Sequence, residues 1–319
     1  MYKFKYSSNM DIIDYSVVIP VYKSQKSLPI LAKRLEDFFS FVAQNQKYEI
    51  IFINDSPCDK ETGQILEWVL KNHRNVRVIE LTKNFGQQSA TLCGIFHSCG
   101  KFIITMDDDM QHDPYDIQRL MQMQCHDIVI AKFKNKKHSL ARRCVSYIKG
   151  YFDYIVIGKP KHIQLTSFRL FSRVIADNMM KINTSFPFIP ALLFSVSDDI
   201  VNVEMEHYAR IEGKSHYSIG RLILLFKNLL INNSSLLLNI IGKMGLFFAC
   251  SSLLYALGII FKKIYWGIPY HGYSSIMVAI LFLGGMIMLA LGVIGEYLIR
   301  IIHTSESRPH YFVRKILDD

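Results

Sequence analysis

From Tyr15 to Ala131, short apolar runs alternate with segments whose apolar residues recur at helical spacing, and this pattern constrains the fold most strongly. The predicted strands are 15–20, 48–54, 76–81, 101–106 and 127–131. The predicted helices are 27–45, 61–72 and 87–99, the last of them closed by Gly100, and Asp113 with Pro114 indicates the start of another. Apolar strands that alternate with helices are typical of a parallel sheet covered on both faces. The sequence therefore predicts an α/β domain with a doubly wound, mostly parallel sheet.

The fourth predicted strand runs directly into adjacent carboxylates, Asp107, Asp108 and Asp109, in the stretch FIITMDDDMQHDP. Adjacent anions repel one another, and an acidic run taken alone is usually a solvated loop. Ligands of doubly wound sheets, however, bind at the carboxyl ends of the strands, where Asp55 also lies after the second predicted strand. Mg²⁺ and Mn²⁺ prefer oxygen ligands and often join one or two carboxylates to substrate phosphates. We therefore expect Asp107 and Asp109 to share a Mg²⁺ or Mn²⁺ ion, with Gln111 or His112 nearby.

The phosphate-binding loops of other α/β proteins are missing from this sequence. There is no GxxxxGK[ST] loop and no GxGxxG after the first predicted strand, which disfavours the P-loop and dinucleotide-binding classes. Phosphate would then be neutralised by a metal and basic side chains. The formal net charge of +10 agrees with phosphorylated ligands or an anionic membrane surface. No zinc-finger spacing or repeated basic helix points to nucleic acid.

Two long uncharged segments, 244–261 and 264–295, predict transmembrane helices at about 240–261 and 273–296. The alternative is a buried helical hairpin. Basic residues are sparse between the two segments, where only Lys262 and Lys263 occur. Seven basic residues flank the two segments on their outer sides: Arg221, Lys227, Lys243, Arg300, Arg308, Arg314 and Lys315. The positive-inside rule then places both termini and the large N-terminal domain in the cytoplasm, and the chain in the inner (cytoplasmic) membrane as a multi-pass protein.

Two further groups of basic residues each allow two interpretations. The segment 131–143, which contains Arg142 and Arg143, is either a solvated loop or a flap that faces anionic lipid and a phosphate. Arg169 and Arg173 in SFRLFSR are candidates for either a phosphate contact or a structural ion pair.

Several motifs, in this order, resemble those of glycosyltransferase family 2. They are SVVIPVYKSQKSLP, IIFINDS, LTKNFGQQSATLCGI, ITMDDDMQHDP, SFRLFSR and YARIEGKSHYSIGRL. More narrowly, they are similar to the polyprenyl-phosphate glycosyltransferases, relatives of dolichol-phosphate mannose synthase. The C-terminal spans and GVIGEYLIR…RPHYFV fit the bacterial membrane-anchored branch. The resemblance extends from Tyr15 to Val313.

The resemblance implies a GT-A fold and an inverting, metal-dependent transfer. The donor would be a nucleotide-sugar, with UDP- or dTDP-sugars favoured, and the acceptor polyprenyl (undecaprenyl) phosphate at the bilayer. The resemblance is also compatible with a homo-oligomer. The implied domain boundaries are an N-terminal tail at 1–14, a GT-A domain at 15–216, interfacial amphipathic helices at 217–239, a transmembrane hairpin at 240–299 and a cytoplasmic tail at 300–319.

The resemblance also assigns site residues. Asp107 and Asp109 match the D-x-D motif that holds the metal and diphosphate, and Gln111 supports the metal or sugar. Arg210 lies close to the donor phosphates and joins the two aspartates as a catalytic residue. Nucleotide-sugar contacts are implied for Pro20, Tyr22, Ile53, Asp55, Asp108, Gln111, Lys214 and His216. Acceptor-phosphate contacts are implied for Arg142, Arg143 and Arg169.

Two departures from the family pattern affect these assignments. Relatives often carry an acidic residue directly before FRL, sometimes proposed as a general base, whereas this chain has Thr166 and Ser167 there. No general base is therefore assigned. The lysine of G-x-S-K-Y is replaced by His216, with Lys214 two residues earlier.

Three alternatives to this function stay open. A processive polysaccharide synthase usually shows Q-x-x-R-W, but Trp68 and Trp266 do not follow an arginine. A catalytically silent membrane scaffold of the same fold would bind donor without turnover. A transferase with another lipid acceptor is the third.

Overall fold

The computed structural model describes residues 13–133, 160, 162–182, 184, 187–206, 272–305 and 309–318, with single positions 243, 247, 251, 254 and 265. The chain forms two compact units, one of Met1–Ser218 with Pro309–Asp319 and one of Ile219–Arg308.

The first unit is built on a sheet whose strands are spread along almost the whole chain. Strands β1 to β8 are Tyr15–Val21, Tyr48–Asn54, Val76–Leu81, Phe102–Thr105, Ile128–Phe133, Arg169–Ser172, Ile200–Met205 and Val313–Asp318. The described helices α1 to α6 of this unit are Ser27–Phe41, Lys60–Asn72, Gln87–His97, Ile117–Met121, Arg173–Met179 and Ile189–Phe194. A 3₁₀ turn over Pro114–Asp116 leads into α4, and the Asp113 side chain accepts a hydrogen bond from the Tyr115 amide, as predicted for a cap.

The strand order within the described residues is β7-β5-β6-β4-β1-β2-β3-β8. Strands β4, β1, β2 and β3 run parallel, and β5 is parallel to β7. Only β6 and β8 run antiparallel to their neighbours. This arrangement confirms the predicted α/β, mostly parallel sheet.

Apolar side chains cover both faces of the sheet. Alternate residues of a strand point to opposite faces, and in β1 the side chains of Val17 and Ile19 lie in one buried cluster while Val18 lies in the other. Helix α1 packs in the first cluster through Leu28, Leu31 and Leu35 among others, and α3 in the second. The two-sided core explains why the strands read as continuous apolar runs in the sequence.

Helix α3 ends two residues earlier than predicted, at His97, so Gly100 does not close it. Gly100 instead passes directly over β1. A Cβ atom at this position would lie 2.6 Å from the Ser16 amide nitrogen and 2.8 Å from the Tyr15 carbonyl carbon. The Gly100 amide also donates to the Ser16 hydroxyl at 2.7 Å. Glycine is needed there because two backbone segments touch.

Gly100→Ala is expected to lower the free energy of unfolding by about 2–3 kcal/mol, since backbone atoms cannot move aside as a side chain can. Gly63→Ala is the matched control, because a Cβ at this helical position has no neighbour within 4 Å. It should raise stability by up to about 1 kcal/mol. Thermal unfolding followed by tryptophan fluorescence measures both. Equal effects of the two substitutions would contradict the close backbone approach.

The second unit contains one long described helix, α7, over Tyr273–Ser305. It includes the second predicted span, 273–296. Large apolar side chains along it are exposed, among them Ile276, Ile280, Ile287 and Ile301. Judged on the residues that are described, none of the helices combines the length and the apolar character needed to cross a membrane. The first predicted span, 240–261, lies almost entirely outside the described residues, as do the predicted interfacial helices at 217–239.

The last strand, β8, follows the second unit in the chain but belongs to the sheet of the first. It pairs antiparallel with β3, from Arg77 opposite Asp318 to Leu81 opposite Val313. Ion pairs join Arg77 to Asp318 and Arg314 to Glu80. No strand was predicted in this part of the sequence. The chain therefore returns to the first unit after residue 308, and its end completes one edge of the sheet.

Candidate active site

The acidic run lies where the sequence places it, directly after β4 and beside the end of β1. The Met106 amide still donates to Val18 of β1, at 3.2 Å, and the carboxylates follow. The Asp108 carboxylate then accepts a hydrogen bond from the Tyr22 amide at 3.1 Å. This bond ties the segments that leave β4 and β1 to each other, so the rim of the sheet is fixed at this point.

Burial and neighbouring charges act together on Asp108. Burial raises the pKa of this carboxyl to about 7, the charges of Asp107 and Asp109 also raise it, and hydrogen bonds from Ser24 and Tyr22 oppose the shift. A pKa raised in this way favours the protonated form of Asp108, which reduces the repulsion within the acidic run. A bound cation would favour the charged form instead.

Asp107 is held by neutral donors on both of its oxygens. The Gln87 side-chain amide, at the first residue of α3, donates to Oδ1 at 2.6 Å. The Ser167 hydroxyl donates to Oδ2 at 2.5 Å. The sequence pointed to neither contact. In the sequence, Ser167 stands where relatives often carry an acidic residue, and Gln87 begins the predicted helix 87–99.

Asp109 and Gln111 are joined through a tight turn. The Gln111 amide donates to the Asp109 carboxylate at 3.1 Å, and Met110 between them has φ 61°, in the left-handed region. His112, the next residue, is buried between the rings of Phe133 and Phe168, at centroid distances of 5.2 and 5.1 Å. His112 is therefore part of the core wall.

Asp55, at the end of β2, organises the loop that precedes α3. Its carboxylate accepts hydrogen bonds from the Asn84 side chain at 3.0 Å, the Phe85 amide at 2.7 Å and the Gly86 amide at 2.9 Å. Burial raises the pKa of Asp55, while the two amide hydrogen bonds lower it. Gly86 has φ 87°, which favours glycine. Asp55 thus stabilises the loop that precedes Gln87. Its predicted contact with the nucleotide stays a prediction.

The other residues predicted to contact the nucleotide, within the described part of the chain, differ in how exposed their side chains are to solvent. The Tyr22 side chain is exposed at the rim. Pro20 lines a small cleft whose walls include Gln87, Asp107, Ser167 and Arg169. Ile53 is fully buried in the core.

The structure separates the two arginines of SFRLFSR. Arg173 donates to the Gly100 carbonyl at 2.8 Å and to the Ser98 hydroxyl at 3.0 Å, which is a structural role. Arg169 is buried, donates through Nε to the Thr166 carbonyl and lines the cleft that also contains Asp107. Burial lowers the pKa of Arg169 to about 10, and the charge of Asp107 raises it. Arg169 therefore keeps its positive charge at neutral pH.

Five predicted site residues lie outside the described residues: Arg142, Arg143, Arg210, Lys214 and His216.

Residues 16–179 match the family model described as glycosyl transferase family 2, which covers just over half of the chain. The chain belongs to glycosyl transferase family 2. This membership confirms the resemblance to the family that was drawn from the motifs.

Relatives of this family 2 glycosyltransferase match it over nearly its full length. It is 29% identical over 95% of its length, and 94% of the relative, to the undecaprenyl-phosphate 4-deoxy-4-formamido-L-arabinose transferase of Photorhabdus laumondii. It is 31% identical, over 94% of its length and 95% of the relative, to an uncharacterized glycosyltransferase of Synechocystis sp..

The fold is also found among solved structures. Glucosyl-3-phosphoglycerate synthase from Mycobacterium tuberculosis, in complex with Mn²⁺, UDP and glucosyl-3-phosphoglycerate, matches with a TM-score of 0.51 at 12% identity, over 69% of this chain and 78% of that one. The match confirms the GT-A-like fold of the family 2 glycosyltransferase.

Proposed function

We propose that this family 2 glycosyltransferase transfers a sugar from a nucleotide-sugar to undecaprenyl phosphate at the cytoplasmic face of the membrane. The observation that carries the proposal is the similarity, over 95% of this chain, to a relative named as an undecaprenyl-phosphate sugar transferase. The carboxylates of Asp107 to Asp109 support it, since they can hold a divalent cation that offsets the negative charge of the donor diphosphate.

The chemistry asks different things of the two substrates. The acceptor phosphate is already an anionic nucleophile, so the protein must orient it and exclude water more than activate it. One of its oxygens forms a bond to the anomeric carbon while the bond from that carbon to the diphosphate oxygen breaks. Attack from the opposite side inverts the anomeric configuration. No proton has to leave a phosphate dianion, which agrees with the serine at position 167.

The residues present fit a divalent cation in their chemistry. Asp107 and Asp109 offer only oxygen ligands, as Mg²⁺ and Mn²⁺ prefer, and these ions are often held by one or two carboxylates with phosphate oxygens. Among the described residues, no group of three or more His, Cys, Asp or Glu side chains is placed to hold a metal ion. We propose that Asp107 and Asp109, with Gln111, hold Mg²⁺ or Mn²⁺ together with the donor. Such an ion would stabilise the charge that develops on the departing diphosphate.

Basic groups would complete the binding of phosphate. Arg169 carries its charge into the cleft wall beside Asp107. A buried guanidinium next to the cleft favours an anion there, and we assign it to the acceptor phosphate. Arg142 and Arg143 are proposed for the same phosphate, and Arg210, Lys214 and His216 for the donor, on the family pattern alone. The homo-oligomer stays a prediction.

The donor nucleotide is proposed to be uridine or deoxythymidine diphosphate. The fold match to a protein crystallised with UDP and Mn²⁺ agrees with uridine. Thermal unfolding of the full-length protein in detergent tests this part. UDP or dTDP should raise the melting temperature with Mn²⁺ present and lose most of that effect with EDTA, while GDP should not. Stabilisation by GDP alone would overturn the nucleotide assignment.

We propose that spans at about 240–261 and 273–296 anchor the protein, with both termini in the cytoplasm. The uncharged stretches 244–261 and 264–295 support this, because each is about as long as a bilayer requires. Exposed apolar side chains along α7 agree with a lipid environment.

Replacing residues 219–308 with a flexible Gly/Ser linker, while keeping 309–319, tests the anchor. The variant should appear in the soluble fraction, retain UDP binding and act poorly on undecaprenyl phosphate in vesicles. Keeping residues 309–319 matters because β8 belongs to the sheet. A variant that stayed in the membrane fraction would contradict the anchoring role.

A further inference from the structure

The Asp107 carboxylate is held by hydrogen bonds on both of its oxygens. Both of its oxygens accept hydrogen bonds from neutral side chains, at 2.6 Å from Gln87 and 2.5 Å from Ser167. A carboxylate oxygen has two lone pairs, so it can accept a hydrogen bond and also bind a cation. Two donors on opposite oxygens also fix the rotation of the carboxylate about its Cβ–Cγ bond.

Both donors are themselves fixed by the fold. The Ser167 carbonyl accepts from the Thr105 hydroxyl at 2.7 Å, which ties the segment before β6 to β4, the strand that leads to Asp107. Gln87 begins α3, and the loop in front of it is braced by Asp55 through the Phe85 and Gly86 amides. The contacts to Asp107 therefore come from two separately anchored parts of the first unit.

A buried positive charge completes this arrangement. Arg169 lies within two residues of Ser167 along the chain, lines the same cleft as Asp107 and interacts with it electrostatically. A guanidinium there contributes a positive charge to the cleft wall beside the Asp107 carboxylate. Gln87 and Ser167 carry no charge, so their hydrogen bonds orient the carboxylate without neutralising it.

We propose that Ser167 and Gln87 are positioning residues for Asp107, which hold its carboxylate in the orientation that a divalent cation meets when it arrives with the donor. This inference rests on the proposed function of the same site. Preorganised ligands bind metal more tightly than ligands that must first be ordered, and loss of one supporting hydrogen bond typically costs 10–100-fold in metal affinity.

The test measures Mn²⁺ affinity directly. Full-length protein in detergent is titrated with Mn²⁺ in the presence of UDP, and free Mn²⁺ is quantified by electron paramagnetic resonance. Ser167→Ala and Gln87→Met should each weaken Mn²⁺ binding by about 10-fold. Ser167→Thr keeps a hydroxyl and should restore most of the affinity. Ser195→Ala, which removes a hydroxyl bonded only to its own helix at Ala191, is the matched control and should change nothing.

A double-mutant cycle shows whether Ser167 acts through Asp107. In an Asp107→Asn background, Ser167→Ala should weaken Mn²⁺ binding by less than about 2-fold further, because the partner that it positions has already been changed. In transfer assays, the two single variants should need more Mn²⁺ for half-maximal rate, with kcat at saturating Mn²⁺ within about 3-fold of the wild type.

The outcomes separate this inference from the proposed function. Wild-type Mn²⁺ binding that is unchanged in both single variants would overturn the positioning role and leave the proposed function standing. A lowered kcat with unchanged Mn²⁺ affinity would also overturn it, since Ser167 or Gln87 would then act on the substrates directly. A wild-type protein that binds no Mn²⁺ with UDP would overturn both. If one variant fails to fold, the other still decides.

Discussion

Asp109→Ala is expected to lower the rate of sugar transfer by about 10²–10³-fold, the usual cost of removing one group that stabilises charge in a transition state. The proposed function gives Asp109 a direct contact with the metal and, through it, with the departing diphosphate. Asp109 is half-buried in a turn after β4, where its carboxylate accepts a hydrogen bond from the Gln111 backbone amide at 3.1 Å. The variant should therefore fold, and its melting temperature without ligands should change by only about 1–3 °C.

The measurement compares initial transfer rates at saturating donor and Mn²⁺. Asp198→Ala is the control, because this exposed carboxylate lies outside the cleft and its loss should leave the rate unchanged. A rate within a few-fold of the wild type for Asp109→Ala would refute the metal site. Loss of rate with loss of folding would instead give Asp109 a structural role.

Deletion of residues 309–319 is expected to lower the melting temperature by about 10 °C. The deletion removes β8, so β3 loses its ladder of backbone hydrogen bonds and becomes an open edge. At about 1 kcal/mol for each net hydrogen bond, the loss is about 3–5 kcal/mol. For a domain of this size, each kcal/mol corresponds to about 2–4 °C.

The same deletion should weaken donor binding as well. The Phe312 carbonyl accepts from the Thr82 amide at 2.9 Å, and the ring of Phe312 lies 6.1 Å from that of Phe85. Both contacts reach the loop that Asp55 braces and that leads to Gln87. Without them this loop loses one wall, so we expect the Kd for UDP to rise by about 10-fold, equivalent to 1.4 kcal/mol.

Lys315→Ala serves as the control for the deletion. It breaks ion pairs to Glu67 and Glu80 on the surface but leaves the strand in place. Exposed pairs of this kind contribute up to about 1 kcal/mol, so the melting temperature should fall by no more than about 2–4 °C. If deletion and Lys315→Ala had equal effects, β8 would contribute little beyond its charges.

Local sequence patterns were sufficient for the central strands. The bounds predicted for β2 and β3 are those observed, because both contain β-branched or aromatic residues that pack on both faces of the sheet and both are bounded by polar turns. The sequence did not reveal β6, β7 or β8. Strand β8 is short, charged and far along the chain from its partner β3. Its pairing depends on tertiary contacts that no local period encodes.

The same distinction applies to the site. Asp107 to Asp109 could be placed at the rim, because a carboxylate that follows an apolar strand in a parallel sheet can hardly lie elsewhere. The donors to Asp107 could not be found in this way, since Gln87 and Ser167 are distant in the chain and meet it only in the folded protein. The hydrogen bonds from Asp55 to the loop before α3 could not be found from the sequence either, and its assignment to the nucleotide stays a prediction.

Sugar transfer to undecaprenyl phosphate is tested most directly by one assay. Purified full-length protein, Mn²⁺ and undecaprenyl phosphate are incubated with a panel of labelled nucleotide-sugars, and label is counted in the organic phase. We expect label from one donor, lost with EDTA and in Asp109→Ala. No label from any donor, despite Mn²⁺-dependent donor binding, would contradict the claim and favour a catalytically silent scaffold or another lipid acceptor.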